Sequence, residues 1–132
     1  MYFKSILGNE NVKQILIKEI SEKKIPHAQL FTHPFGLSAL PFALAFSMYL
    51  LCEHKNNQDS CGQCSNCIKM LKVNHPDLHL FYPTKGTNTK KSGSKENFSI
   101  FQQFLIKNPN MIQDDWANHV GLKNNGEIRV AD

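Results

Sequence analysis

Four cysteines, Cys52, Cys61, Cys64 and Cys67, lie within residues 52–67 in the spacing C-x8-C-x2-C-x2-C, and the chain holds no others. Zinc takes four soft ligands at the corners of a tetrahedron, and a tight Cys-rich turn supplies three of them from one short segment. Cys52, at the end of an apolar run, is the expected fourth. Gly62 follows Cys61 where the backbone has to turn sharply, a position that suits glycine. Disulfides compete for the same residues but are disfavoured in a reducing cytoplasm. An iron–sulfur cluster also competes, because C-x2-C-x2-C opens the bacterial ferredoxin run. Here the fourth cysteine lies upstream and no Cys-Pro follows the third. Free thiols are the remaining alternative. Four thiolates would close the coordination shell and leave no place for a water nucleophile, so the expected Zn²⁺ is structural. With four cysteines at hand, His54 and His75 are expected to be surface or turn residues.

The 132 residues suffice for one domain with a real core. The longest apolar run, Leu37 to Leu51, is interrupted by Ser38, Pro41 and Ser47 and is too short to span a bilayer. The opening Met-Tyr-Phe-Lys-Ser lacks the layout of a signal peptide. A cytoplasmic chain with no membrane partner is therefore expected. The net charge of +4 is a mild bias toward anionic partners. Fourteen of the fifteen basic residues are Lys, and Arg129 is the one Arg. Readers of base edges rely on the bidentate guanidinium, so sequence-specific DNA recognition is not expected. Lys85, Lys90, Lys91 and Lys95 stand among Gly, Ser, Thr and Asn, as in a solvated loop or, alternatively, a phosphate-contacting one.

Along the chain, Asn9 is a candidate N-cap, and Val12, Ile15, Leu16 and Ile20 repeat at helical spacing, predicting a helix from about Glu10 to Lys23. Ala28 to Thr32 reads as a buried strand and His33-Pro34-Phe35-Gly36 as the turn after it. Ser38 to Glu53 is apolar enough for a helix buried against a sheet, with Pro41 tolerated in its first turn. Short helices are expected at Ser65–Lys72, from Phe98 to about Lys107, and at Ile112–Val120 around Trp116. Further strands are expected at Leu78–Tyr82 and Glu127–Val130. Strand, turn, buried helix and returning strand make a βαβ unit, hence an α/β fold: a parallel sheet with flanking helices.

A strand, a Gly-containing turn and a helix is also the layout of a P-loop, which needs glycines for backbone approach, a Lys for phosphate and a Ser or Thr for magnesium. Several motifs occur in order: Gly8-Asn9-Glu10-x-Val12, His27-Ala28-x-Leu30-Phe31, Cys52 followed by Cys61-Gly62-x-Cys64-x-x-Cys67, and His75-Pro76-Asp77. Over residues 3 to 82 this series resembles the bacterial clamp-loader AAA+ family, the gamma/tau and delta-prime subunits of DNA polymerase III. In that resemblance the three P-loop glycines fall on His33, Gly36 and Ser38. The Lys falls on Ala39 and the hydroxyl residue on Leu40, while Pro41 removes a backbone donor.

The resemblance implies a P-loop NTPase-like sheet, truncated in this chain, with an embedded four-cysteine zinc module at 52–67. The whole of 1–132 would be the N-terminal part of an AAA+ domain, with an inserted loop and helices at about 83–126. A site without the Lys and the hydroxyl implies the delta-prime type, with no ATP and no catalytic residue, within the DNA polymerase III holoenzyme. The implied partners are other clamp-loader subunits (gamma/tau, delta), and the sliding clamp and primed DNA through the assembled complex. The arginine finger and the lid would lie beyond Asp132, and Arg129 is not expected to be that finger. Two other functions stay open: a gamma/tau-type ATPase that holds nucleotide by unusual contacts, and an independent zinc module binding nucleic acid through Lys85 to Lys95.

Overall fold

A computed structural model describes residues 1–34, 39–84, 97–122 and 128. The chain divides into two compact units, Met1–His75 and Pro76–Asp132.

In the first unit a 3₁₀ turn, Phe3–Ser5, precedes helices α1 (Glu10–Ser21), α2 (Leu40–Leu51) and α3 (Ser65–Leu71). The helix α1 starts where expected, but Asn9 does not cap it with its side chain. Asn9 sits in the left-handed region at φ 56°, after Gly8 at φ 73°, so this pair forms a turn. The side chain of Lys13 closes that turn: its Nζ donates to the Ile6 carbonyl at 2.6 Å and pairs with Glu10 at 2.7 Å. At the other end Lys23 adopts φ 55°, with Lys24 N–H bonded to Glu19 O and Lys23 N–H to Ile20 O. This Schellman closure ends the helix at Ser21, two residues short of the expected Lys23.

Apolar on every side, α2 is the centre of the unit, with both α1 and α3 packed against it. Pro41 lies in its first turn, where the missing N–H has no partner to lose. Phe3, Leu16, Ile20, Ala45, Phe46 and Tyr49 form the buried cluster, with Phe31 and Phe42 against it. Phe3 is 1% exposed and meets Tyr49 edge-on at 5.9 Å. Burial on this scale stabilises by about 1.5–3 kcal/mol per large side chain. Phe3 is thus part of the core.

The expected parallel sheet does not appear: the described residues contain no strand, and Thr84 makes an isolated bridge. Both segments read as strands do alternate. Gln29 and Phe31 turn inward while Leu30 is 88% exposed, and Leu78, Leu80 and Tyr82 turn inward while His79 and Phe81 face outward. Alternation specifies an extended backbone with one buried side, but a strand also needs a ladder partner, which a local pattern cannot name. Ala28–Thr32 is accordingly an irregular segment of exposed and half-buried residues and not the buried strand expected. Apart from Ile128, the third expected strand, Glu127–Val130, lies outside the described residues.

The second unit contains α4 (Phe98–Lys107) and α5 (Gln113–Val120). Tyr82 stacks on Phe101 with ring centroids 3.7 Å apart, and Trp116 meets both rings edge-on at 5.5 and 5.0 Å. Trp116 is buried, and its Nε1–H donates to the Pro83 carbonyl at 2.8 Å. Asp115 accepts the Ile112 N–H at 2.9 Å, and Asp114 and Asp115 place negative charge at the positive end of α5. Gly121, at φ 66°, closes that helix. No helix among the described residues is long and apolar enough to cross a membrane.

Candidate metal centre

The first unit brings all four cysteines together. Cys52 is the residue that ends α2, Cys64 the one that opens α3, and Cys67 lies in the first turn of α3. Cys61 comes from the loop between the two helices. Their four sulfurs lie within 4.8 Å of one another, and none is in a disulfide. Cys61 Sγ and Cys67 Sγ are 3.9 Å apart. Tetrahedral zinc with bonds of about 2.3 Å would place its sulfurs about 3.8 Å apart. Cys52, Cys64 and Cys67 are buried and Cys61 is partly exposed.

Backbone amides converge on the sulfurs as well. Cys61 N–H donates to Cys52 Sγ at 3.3 Å; Gln63 N–H and Cys64 N–H donate to Cys61 Sγ at 3.4 and 3.3 Å. Such donors favour thiolate over thiol. The N–H groups of Gln63 and Cys64 hold the Cys61 thiol below its ordinary value. Burial opposes ionisation of Cys64, yet the N–H groups of Cys67 and Glu53 with the neighbouring sulfurs bring it down to about 6. Burial pushes Cys52 and Cys67 up. Four thiolates this close repel one another, and a bound cation would offset that repulsion.

Gly62 makes the turn for the reason foreseen. Its φ is +74°, and a Cβ there would collide with the Tyr2 phenol, whose Cζ would stand 3.2 Å away. The loop's remaining supports were missed by sequence reasoning. Asn56 Oδ1 accepts the N–H groups of Gln58 and Asp59, both at 2.8 Å, and Tyr49 Oη donates to the Asn56 carbonyl at 2.7 Å. The buried Asp59 carboxylate accepts Ser60 N–H at 2.9 Å, Phe3 N–H at 3.3 Å and Lys4 N–H at 3.0 Å. Asn56-x-x-Asp59 ahead of Cys61 carried a turn signal that could have been read. The two donors from residues 3 and 4 could not, because they come from more than fifty residues away.

The residues matched to a P-loop fall only partly among the described residues. His33 is exposed, with Nδ1 2.7 Å from the Pro34 carbonyl. Gly36 and Ser38 lie outside the described residues, as do Lys85, Lys90, Lys91 and Lys95. Ala39 is the residue before α2 and Leu40 is its first residue. Of the two histidines read as surface or turn residues, His54 is exposed, and His75 directly precedes the turn at Pro76 and Asp77 but is buried, 6% exposed.

Over 66 residues, 48% of this chain, it is 38% identical to the DNA polymerase III subunit delta' of Yersinia pestis. It is 33% identical over 81 residues, 61% of the chain, to the subunit of the same name from Bacillus subtilis. Identity to the DNA polymerase III subunit tau of B. subtilis is 31% over 65 residues, 49% of the chain. These matches take in 19%, 24% and 12% of the three relatives' own lengths, so the chain spans a quarter or less of each. No solved structure matches the chain. The family model described as DNA polymerase III, delta subunit, matches residues 8–114, most of the 132-residue chain, and the chain belongs to that family.

Proposed function

We propose that the chain is the N-terminal part of a delta-prime-type clamp-loader subunit, a non-catalytic component that helps load the sliding clamp onto primed DNA. Its zinc would be structural, held by Cys52, Cys61, Cys64 and Cys67. The observation that carries the metal reading is the convergence of four sulfurs within 4.8 Å, with backbone N–H groups directed at them. A bound Zn²⁺ would supply positive charge that keeps all four thiolates ionised, and it would pin the ends of α2 and α3 together. The donor set closes the coordination shell, which suits a scaffold and not a hydrolytic centre.

Family membership supports the clamp-loader assignment, and the higher identity to subunits named delta' than to tau favours the delta-prime type. In this reading residues 1–132 open an AAA+ domain, 52–67 are its zinc module, and about 83–126 are an insertion. Residues 28–32 and 78–82, whose burial alternates, would be strands of the family's parallel sheet. Ala39 and Leu40, in the places of the P-loop Lys and hydroxyl, support a site that does not hold ATP. The proposed partners are gamma/tau-type and delta subunits, in the cytoplasm.

Two measurements test the proposal. Metal analysis of protein purified under reducing conditions should return one zinc per chain; iron, or no metal, overturns the zinc assignment. The protein carrying this chain should co-elute with gamma/tau-type and delta subunits in size-exclusion chromatography. Failure to assemble overturns the clamp-loader assignment whatever the metal content.

A further inference from the structure

We propose that metal binding by the cysteine loop and docking of the N-terminal residues 1–5 are coupled, with Asp59 and Tyr2 as the coupling residues. This rests on the zinc reading above. Asp59 is 6% exposed, and a buried carboxylate is costly unless its oxygens are hydrogen-bonded. Of the N–H donors to it named above, one, Ser60, is local; the other two, Phe3 and Lys4, come from the N-terminal 3₁₀ turn. Two residues after Asp59, the Cys61 N–H donates to Cys52 Sγ. The carboxylate that anchors the N-terminus therefore sits two residues from a ligand.

A second contact brackets Cys61 from the other side. The Tyr2 ring lies where a Gly62 side chain would be, and Lys4 Nζ stands 4.8 Å over that ring. Residues 2–4 thus touch the loop on both sides of Cys61. Phe3 is meanwhile held in the core against Tyr49, whose hydroxyl bonds the loop at Asn56. Undocking residues 1–5 would strip Asp59 of two donors and uncover the Gly62 turn. Releasing the metal would free the loop and remove the dock. A coupling of this kind is reciprocal: the factor by which the metal tightens docking equals the factor by which docking tightens the metal.

Amide hydrogen exchange on the full chain, zinc-loaded and then chelated, reads one side of the coupling. Chelation should speed exchange at Phe3 and Lys4 by about tenfold or more while Leu16 and Ile20 in α1 hold their protection. Competition with a chromophoric chelator reads the other side. Asp59→Asn should lose about tenfold in zinc affinity, in the range seen when groups supporting metal ligands are changed, and Tyr2→Ala should lose severalfold. If Asp59→Asn does not fold, Tyr2→Ala, which alters no loop residue, decides alone. Unchanged exchange at Phe3 and Lys4 with wild-type affinity in Tyr2→Ala overturns the coupling and leaves the zinc assignment standing. Uniform loss of protection through α1 on chelation also overturns it, because the metal would then hold the whole unit. A chain that binds no zinc under reducing conditions removes both.

Discussion

Replacing Gly62 by Ala tests the local chemistry of the metal loop, and its cost can be worked from two separate sources. At φ +74° an L-residue costs about 1–2 kcal/mol relative to its ordinary conformations. The added Cβ also collides with the Tyr2 phenol, which is a side chain near the terminus and can swing aside. Swinging aside forfeits the Lys4–Tyr2 cation–π contact and the ring's packing, about 0.5–1 kcal/mol. Opposing these, Ala lowers the conformational entropy of the unfolded chain and returns about 0.4–1 kcal/mol. The net expectation is a loss of about 0.5–2.5 kcal/mol. Urea unfolding of the zinc-loaded chain measures it, in a cycle with Tyr2→Ala. In the Tyr2→Ala background the collision vanishes, so Gly62→Ala should cost about 0.5–1 kcal/mol less than in the wild type. A coupling of zero would show that the ring does not sit on Gly62. A net gain in stability would show that the turn does not need a positive φ, and either result refutes the reasoning.

Zinc affinity should fall with acid. The Cys52 and Cys67 thiols, raised by burial, must release protons on binding throughout the neutral range, whereas Cys64, at about 6, is already a thiolate at neutral pH. Below about pH 6 a proton competes at Cys64 as well, so competition titrations should show the pH slope of log affinity steepening by about one proton there. A constant slope contradicts this assignment. In the second unit, Trp116→Ala should cost about 3–5 kcal/mol, because it removes a buried ring that Tyr82 and Phe101 both contact. Loss of the far-UV signal of α4 and α5 at lower urea checks it. Calorimetric titration with Mg-ATP should show no saturable heat, because Ala39 cannot neutralise a phosphate and Leu40 cannot coordinate magnesium. Micromolar binding would move the chain to the nucleotide-binding subunits.

Much of what is local was legible in the sequence. Val12, Ile15, Leu16 and Ile20 announce α1 by their spacing, and the runs around Phe101 and Trp116 announce α4 and α5 within a residue or so. The cysteine spacing alone marked out Cys52, Cys61, Cys64 and Cys67 as one group, because a short turn leaves their sulfurs few other places to go. Gly62 was readable for a related reason: a reversal between Cys61 and Cys64 calls for a positive φ. Tertiary structure decided what depends on distant partners. Residues 28–32 and 78–82 alternate as strands do, but whether they pair is settled by which backbone lies alongside, and no local pattern encodes that. Asn9 has the chemistry of an N-cap, yet the turn with Gly8 and the Lys13 clamp on Ile6 place it in the left-handed region. Asp59 reads as an ordinary loop acid until the fold brings Phe3 and Lys4 to it, because a carboxylate survives burial only where donors from elsewhere in the chain arrive to meet it.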